Sequence, residues 1–91
     1  MAKAEISWTR STPEGELFQI FAQHLSKEWR FFIRQRRYDN WRPHENPPLE
    51  DWLELLDAVR RRVARRLLRP ESKTRVEQSI RERFPETKIP G

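Results

Sequence analysis

The sequence contains no cysteine, only two glycines and no long apolar run. The lack of cysteine excludes disulfide bonds, thiol catalysis and cysteine-ligated metal sites. Gly15 and Gly91 cannot form a phosphate-binding loop or a dinucleotide-binding fingerprint, which both need glycines at close, fixed spacing. No apolar run approaches the ~20 residues of a membrane-spanning helix. We therefore expect a soluble, cytoplasmic protein that uses no cofactor, no metal, no membrane and no small-molecule substrate.

The chain is rich in charged residues and in large aromatic residues. The 91 residues are 36% charged and 35% hydrophobic, with four Trp and five Phe. This length supports one small domain, and each large ring can bury ~150–250 Å² of surface. The aromatic side chains should therefore supply much of a small core in a single domain spanning residues 1–91.

Positive charge is concentrated in two segments. Residues 60–69, with the sequence RRRVARRLLR, contain six arginines and no acid, and residues 30–42 contain five arginines and one acid. Since the whole chain carries a net charge of +5, the residues outside these two segments are acidic on balance. Two basic surfaces on an otherwise acidic protein are the expected result.

The first half of the chain is interpreted as an arm followed by a long helix. Residues 1–11 form the extended N-terminal arm. Thr12 can cap a helix and Pro13 suits its first position, which predicts a helix over residues 13–38. Its apolar residues spread over more than half of a helix circumference, which is wider than one partner helix requires.

The second half is interpreted as two further helices. Residues 39–47 contain Pro43 and Pro47, are followed directly by Pro48, and form a Pro-rich loop that includes Trp41. Apolar side chains recur at i, i+3, i+4 and i+7 from Leu49 to Leu67, predicting a helix over residues 48–69. Residues 71–84 form a shorter third helix and 85–91 a tail. With few glycines and no recognisable hairpin turn, the predicted fold is all-α: a small three-helix bundle of two long antiparallel helices and a shorter C-terminal helix, with extended arms.

Few residues suggest catalysis or metal binding. His24 and Glu28 lie four apart on the first predicted helix, which permits a weak metal or acid–base pair, but a local hydrogen-bonded pair is the preferred interpretation. A di-metal helical bundle needs several inward-facing ligands, and the chain has only two histidines. No enzyme activity is expected.

The arginines of the second predicted helix divide into two groups. On a helical wheel, Arg60 falls within the apolar stripe, where a charged group must either reach solvent along its apolar stem or meet an acidic partner. Glu28 of the first predicted helix is the expected partner, forming a structural ion pair. The remaining arginines share the outer arc of the helix and form the candidate anion- or partner-binding surface: Arg61, Arg62, Arg65, Arg66 and Arg69.

Two functions fit this pattern. The preferred one is a non-enzymatic protein–protein interaction module that self-associates or binds an acidic partner through the arginine surface. The alternative is nucleic-acid binding, in which the arginines contact phosphate and exposed aromatic rings stack on bases. For either function, the candidate site also includes three residues of the basic segment 30–42, namely Arg34, Arg37 and Trp41.

Overall fold

The computed structural model describes residues 5–25, 28–35 and 38–89. It contains a four-stranded sheet and two helices, so the predicted all-α three-helix bundle is wrong. The chain divides into a sheet unit, Met1–Pro47, and a helical unit, Pro48–Gly91. The elements in chain order are β1 (Glu5–Ser11), β2 (Leu17–Leu25), β3 (Glu28–Arg34), β4 (Arg42–Pro43), α1 (Leu49–Ala64) and α2 (Pro70–Arg83).

The sheet is antiparallel and its strands follow one another in chain order, β1-β2-β3-β4. In its centre Ile6 pairs with Ala22, and Ala22 with Phe31. The N-terminal arm predicted for residues 1–11 therefore contains an edge strand. Part of the predicted Pro-rich loop pairs with β3 as β4, and the His44 backbone N–H donates to the Phe31 carbonyl at 2.9 Å.

Strands Leu17–Leu25 and Glu28–Arg34 lie where the sequence predicted one helix over residues 13–38. In β2 and β3, apolar side chains occupy both faces of the sheet, so on a helical wheel they spread around most of the circumference. The sequence over 28–34, EWRFFIR, is rich in aromatic and β-branched residues, which fit a pleated surface better than a helix. The unusually wide apolar face was a sign of two-sided strands.

The segment predicted to start that helix is the turn between β1 and β2. The Gly15 N–H donates to the Thr12 carbonyl at 2.9 Å, and the Thr12 hydroxyl accepts from the Glu16 N–H at 3.1 Å. Gly15 has a φ of +89°, a left-handed conformation that favours glycine. Pro13 occupies the turn position that fixes φ near −65° in many β-turns. The Thr-Pro-Glu-Gly sequence was thus a hairpin signal.

The two faces of the sheet have different compositions. One face, called here the core face, carries the buried side chains of Ile6, Ile20, Ala22 and Phe31. The other, called here the outer face, alternates with it along every strand. Its residues are mainly polar or aromatic and none is fully buried: Ser7, Thr9, Gln19, Phe21, Gln23, Arg30, Phe32 and Arg34.

The helical unit packs α1 against α2. Buried side chains of α1 and α2 form its core: Trp52, Leu55, Leu56, Val59, Val76 and Ile80. The Arg83 guanidinium lies 4.9 Å from the centre of the Trp52 ring. Because Arg83 ends α2 and Trp52 lies in the first turn of α1, the two helices run antiparallel.

Helix α1 ends at Ala64, five residues before the predicted end. The Arg66 N–H donates to the Val63 carbonyl at 3.0 Å and the Leu67 N–H to the Arg62 carbonyl at 2.8 Å. This is a Schellman motif, and Arg66 supplies its left-handed residue with a φ of 63°. Pro70 keeps a helix from continuing through Arg69, since a residue before proline avoids the helical conformation, and Arg69 is extended. Leu67, predicted to lie in the core, is 64% exposed.

Candidate functional site

The strongest concentration of charge lies where α1 turns into α2. We call Arg61, Arg62, Arg65, Arg66 and Arg69 the arginine turn. Arg61 and Arg62 belong to the last turn of α1, Arg65 and Arg66 to its C-terminal cap, and Arg69 is the N-cap of α2. Four of the five are exposed and Arg62 is half-buried. The sequence predicted that these arginines lie along one face of a single helix, whereas they cluster around the turn between two helices.

Most of this charge is not neutralised locally. Arg61 forms an exposed ion pair with Asp57 at 3.1 Å. Within the part of the chain that the structure describes, no carboxylate pairs with the other four members of the turn. Four guanidinium groups thus retain their donor groups for an external anion.

Arg66 is held in an unfavourable backbone conformation. Its φ of 63° places it in the left-handed region, which costs a non-glycine residue roughly 1–2 kcal/mol. Glycine is the usual residue at this position of a Schellman motif. The chain instead carries a positive charge there, and strained residues of this kind concentrate at functional sites.

Arg60 does not belong to the exposed cluster. Its guanidinium binds the Glu77 carboxylate of α2 at 3.1 Å, and the two side chains are 26% and 17% exposed. The sequence predicted Glu28 as its partner, but Glu28 lies at the start of β3 and the recorded ion pair is with Glu77. Arg60 therefore links the two helices.

A second group of candidate residues lies on the outer face of the sheet. The Arg34 guanidinium lies 4.3 Å from the centre of the Trp41 ring, and its Nε donates to Gln19 Oε1 at 2.6 Å. The Phe21 ring meets Trp41 edge-on at 4.6 Å and stacks on Phe32 at 4.7 Å. The structure thus brings together Arg34 and Trp41 of the predicted site. Arg37 lies outside the described residues.

Phe21, Phe32 and Gln19 belong to this group but were not among the candidate residues predicted from the sequence. They were assigned to one long helix, where Phe21 and Phe32 would be eleven residues apart. In the sheet they are direct cross-strand partners. The available signal was weak: Gln19 and Gln23 alternate with Ile20 and Ala22 as in a half-buried strand, but the apolar Phe21 between them interrupts the period of two.

The weak metal or acid–base pair is not assembled. His24 pairs with Trp29 in the strand register, with ring centres 4.9 Å apart, whereas Glu28 pairs with Leu25 and so points to the opposite face. Across residues 5–25, 28–35 and 38–89, no three potential metal ligands converge. Neither helix in these ranges has the length and apolar character needed to cross a bilayer.

The comparisons with known proteins found no relative of this chain. No protein-family model, no curated protein and no solved structure matches this chain.

Proposed function

We propose that this protein is a non-enzymatic nucleic-acid-binding module that contacts phosphate groups through the arginine turn. The observation that carries the proposal is the cluster of Arg62, Arg65, Arg66 and Arg69, which lack carboxylate partners in the described structure. Guanidinium groups bind phosphate oxygens with two parallel hydrogen bonds, and phosphate contacts supply most non-specific affinity for nucleic acids. The cytoplasmic location expected from the sequence remains part of this proposal.

The corrected fold favours this function over self-association. A long first helix with a wide apolar face would need a partner to cover that face, which favoured self-association. The residues of that face form strands instead. The sheet adds aromatic rings beside an arginine on an exposed surface, a combination that suits nucleic acids.

Binding to an acidic protein surface is the second candidate. It is supported by the carboxylate partners that neighbouring arginines already have, Glu77 for Arg60 and Asp57 for Arg61. The same turn could extend this pairing to carboxylates of another protein. The two candidates differ in whether an acidic polypeptide competes with nucleic acid.

The test measures binding of an end-labelled, mixed-sequence single-stranded RNA by fluorescence anisotropy at several salt concentrations. The variant R62E/R65E/R69E should lose most of the affinity. The neutral variant R62Q/R65Q/R69Q should lower the slope of log affinity against log salt by about 2, since each phosphate contact contributes ~0.7 for single strands.

A matched control reverses three exposed basic residues elsewhere in the helical unit, R75E/R81E/K88E. It changes the net charge by the same amount as R62E/R65E/R69E, so it should retain most of the binding if position matters. Equal losses in both variants would contradict a site at the arginine turn. Displacement of the RNA by poly-glutamate at equal charge concentration would favour the acidic-protein candidate.

A further inference from the structure

The outer face of the sheet contains a cleft beside Trp41. Its volume is about 300 Å³, and its floor is formed by residues 7–9 of β1 and residues 19–20 of β2. Arg34 and Trp41 form its wall. The lining residues are Ser7, Trp8, Thr9, Gln19, Ile20, Arg34 and Trp41. This volume lies at the small end of the range for ligand sites, which suits a single planar ring.

The wall of the cleft is held in place by several aromatic contacts. Trp41 is 36% exposed, and its orientation is fixed by the edge-on contact with Phe21 at 4.6 Å and by the Arg34 guanidinium at 4.3 Å. Phe32 supports Phe21 by stacking on it. A flat ligand would meet an indole and a guanidinium plane that are already positioned, which lowers the entropic cost of binding.

Polar groups around the cleft can recognise the edge of a ring. Gln19 Oε1 accepts the hydrogen bond from Arg34 Nε, which leaves the Gln19 amide N–H groups and the terminal N–H groups of Arg34 as donors. The hydroxyls of Ser7 and Thr9, both exposed on the outer face, can donate and accept. Such a mixture suits a nitrogen heterocycle better than a hydrocarbon ring.

The charge of the surrounding sequence indicates an anionic ligand. Residues 30–42, which supply Arg34 and Trp41, contain five arginines and one aspartate. An aromatic ring that belongs to a polyanion satisfies both the cleft and this charge.

We propose that the cleft binds an unpaired base of single-stranded nucleic acid, with the base stacked against the Trp41–Arg34 pair and its edge facing Gln19 and Thr9. This deepens the proposed function and rests on it, because it names the form of nucleic acid that is bound. A base inside a duplex is already stacked and paired, so a duplex cannot fill the cleft.

The experiment compares one end-labelled single-stranded RNA with the same strand annealed to its complement. Trp41→Ala should weaken binding of the single strand about 5- to 150-fold, the range for loss of one base–aromatic stack, and leave duplex binding unchanged. Trp41→Phe should restore most of the affinity because it keeps a ring. Tyr38→Ala removes another aromatic ring that is 78% exposed and lies outside the cleft, and should have little effect.

A second variant fills the cleft without removing Trp41. Thr9→Phe places a ring at an exposed strand position of the cleft floor and should weaken single-strand binding while far-UV circular dichroism stays unchanged. Unchanged single-strand affinity in both Trp41→Ala and Thr9→Phe would overturn the cleft proposal, as would equal losses for single strand and duplex. If binding still depends on Arg62, Arg65 and Arg69 in that case, the proposed function stands alone. If the unmodified protein binds neither RNA, the proposed function itself is wrong.

Discussion

The two units of this protein expose different kinds of side chain. In the helical unit, large apolar side chains of α1 and α2 are mostly buried, and the exposed turn between the helices is arginine-rich. In the sheet unit, apolar side chains occupy both faces, so aromatic rings remain on the outer face after the core face is filled. Because the sheet has apolar side chains on both faces, aromatic rings stay exposed on the face that does not form the core. Each helix has one apolar stripe, which is buried, so mainly charged side chains stay exposed in the helical unit.

The units can also be compared at their tight turns, because among the described residues each unit has one left-handed residue. In the sheet unit this residue is Gly15, with a φ of +89°, and in the helical unit it is Arg66, with a φ of 63°. The first turn uses the residue that adopts this conformation without steric cost, and the second does not. The second turn therefore carries a backbone cost that the first turn avoids.

The largest effects are expected in the cores. Ile20→Ala in the sheet unit and Leu55→Ala in the helical unit each remove a side chain that is 0% exposed, and each should lower the free energy of unfolding by ~2–5 kcal/mol. Residue-resolved hydrogen exchange should locate the main loss of protection in the unit that carries the change. Identical losses in both units would break the comparison, since they would mean that the chain unfolds as one body.

The next largest effect is expected at Gly15. Gly15→Ala should lower the free energy of unfolding by ~1–2 kcal/mol because alanine adopts a positive φ only with strain. An added Cβ meets no atom within 4 Å, so the cost comes from the backbone and not from a clash. Urea denaturation measures the change, and Glu14→Ala in the same turn is the control. A neutral result at Gly15 would argue against the left-handed turn.

The opposite sign is expected at Arg66. Arg66→Gly should raise the free energy of unfolding by about 0.5–1 kcal/mol, since glycine adopts the left-handed conformation freely. Arg65→Gly is the matched control and should be destabilising, because Arg65 has a φ of −90° and gains nothing from glycine. If the proposed function is correct, Arg66→Gly should also weaken RNA binding. A stabilised variant with full RNA affinity would separate the strained conformation from function.

The smallest effects are expected for the two ion pairs of the helical unit. A double-mutant cycle should give a coupling of roughly 1 kcal/mol for the part-buried pair Arg60–Glu77, and about 0.3–0.5 kcal/mol for the exposed pair Arg61–Asp57. High salt should reduce the second coupling more than the first, because exposed charges are screened more strongly. Equal couplings would show that burial does not distinguish Arg60 from the arginine turn.

The helical unit was partly predictable because apolar residues at i, i+3, i+4 spacing indicate an amphipathic helix. Helix α1 lies within residues 48–69, where the i, i+3, i+4 pattern predicted a helix, and α2 (Pro70–Arg83) begins and ends one residue before the helix predicted over 71–84. The end of α1 was predicted too late because the apolar pattern continues through Leu67. The prediction also placed Arg69 in the helix, although the following Pro70 favours an extended conformation there.

The sheet unit could not be predicted by the same reasoning. Over 17–25 the strand LFQIFAQHL has apolar residues at both odd and even positions, which obscures the period of two. Glutamate at positions 14 and 16 and proline at 13 also suit the start of a helix, so the turn sequence was open to two interpretations. The cross-strand pairing that joins Phe21, Phe32 and Trp41 depends on register, which no local pattern specifies.

The Schellman motif at the end of α1 has a consequence for the charges around it. A helix end normally presents unsatisfied carbonyl oxygens, and nearby arginines often fold back to donate to them. Here the backbone N–H groups of Arg66, Leu67 and Leu68 donate to the carbonyls of Val63 and Arg62. The main chain itself therefore satisfies the carbonyls of Val63 and Arg62, and these two acceptors do not draw the neighbouring guanidinium groups back onto the helix end.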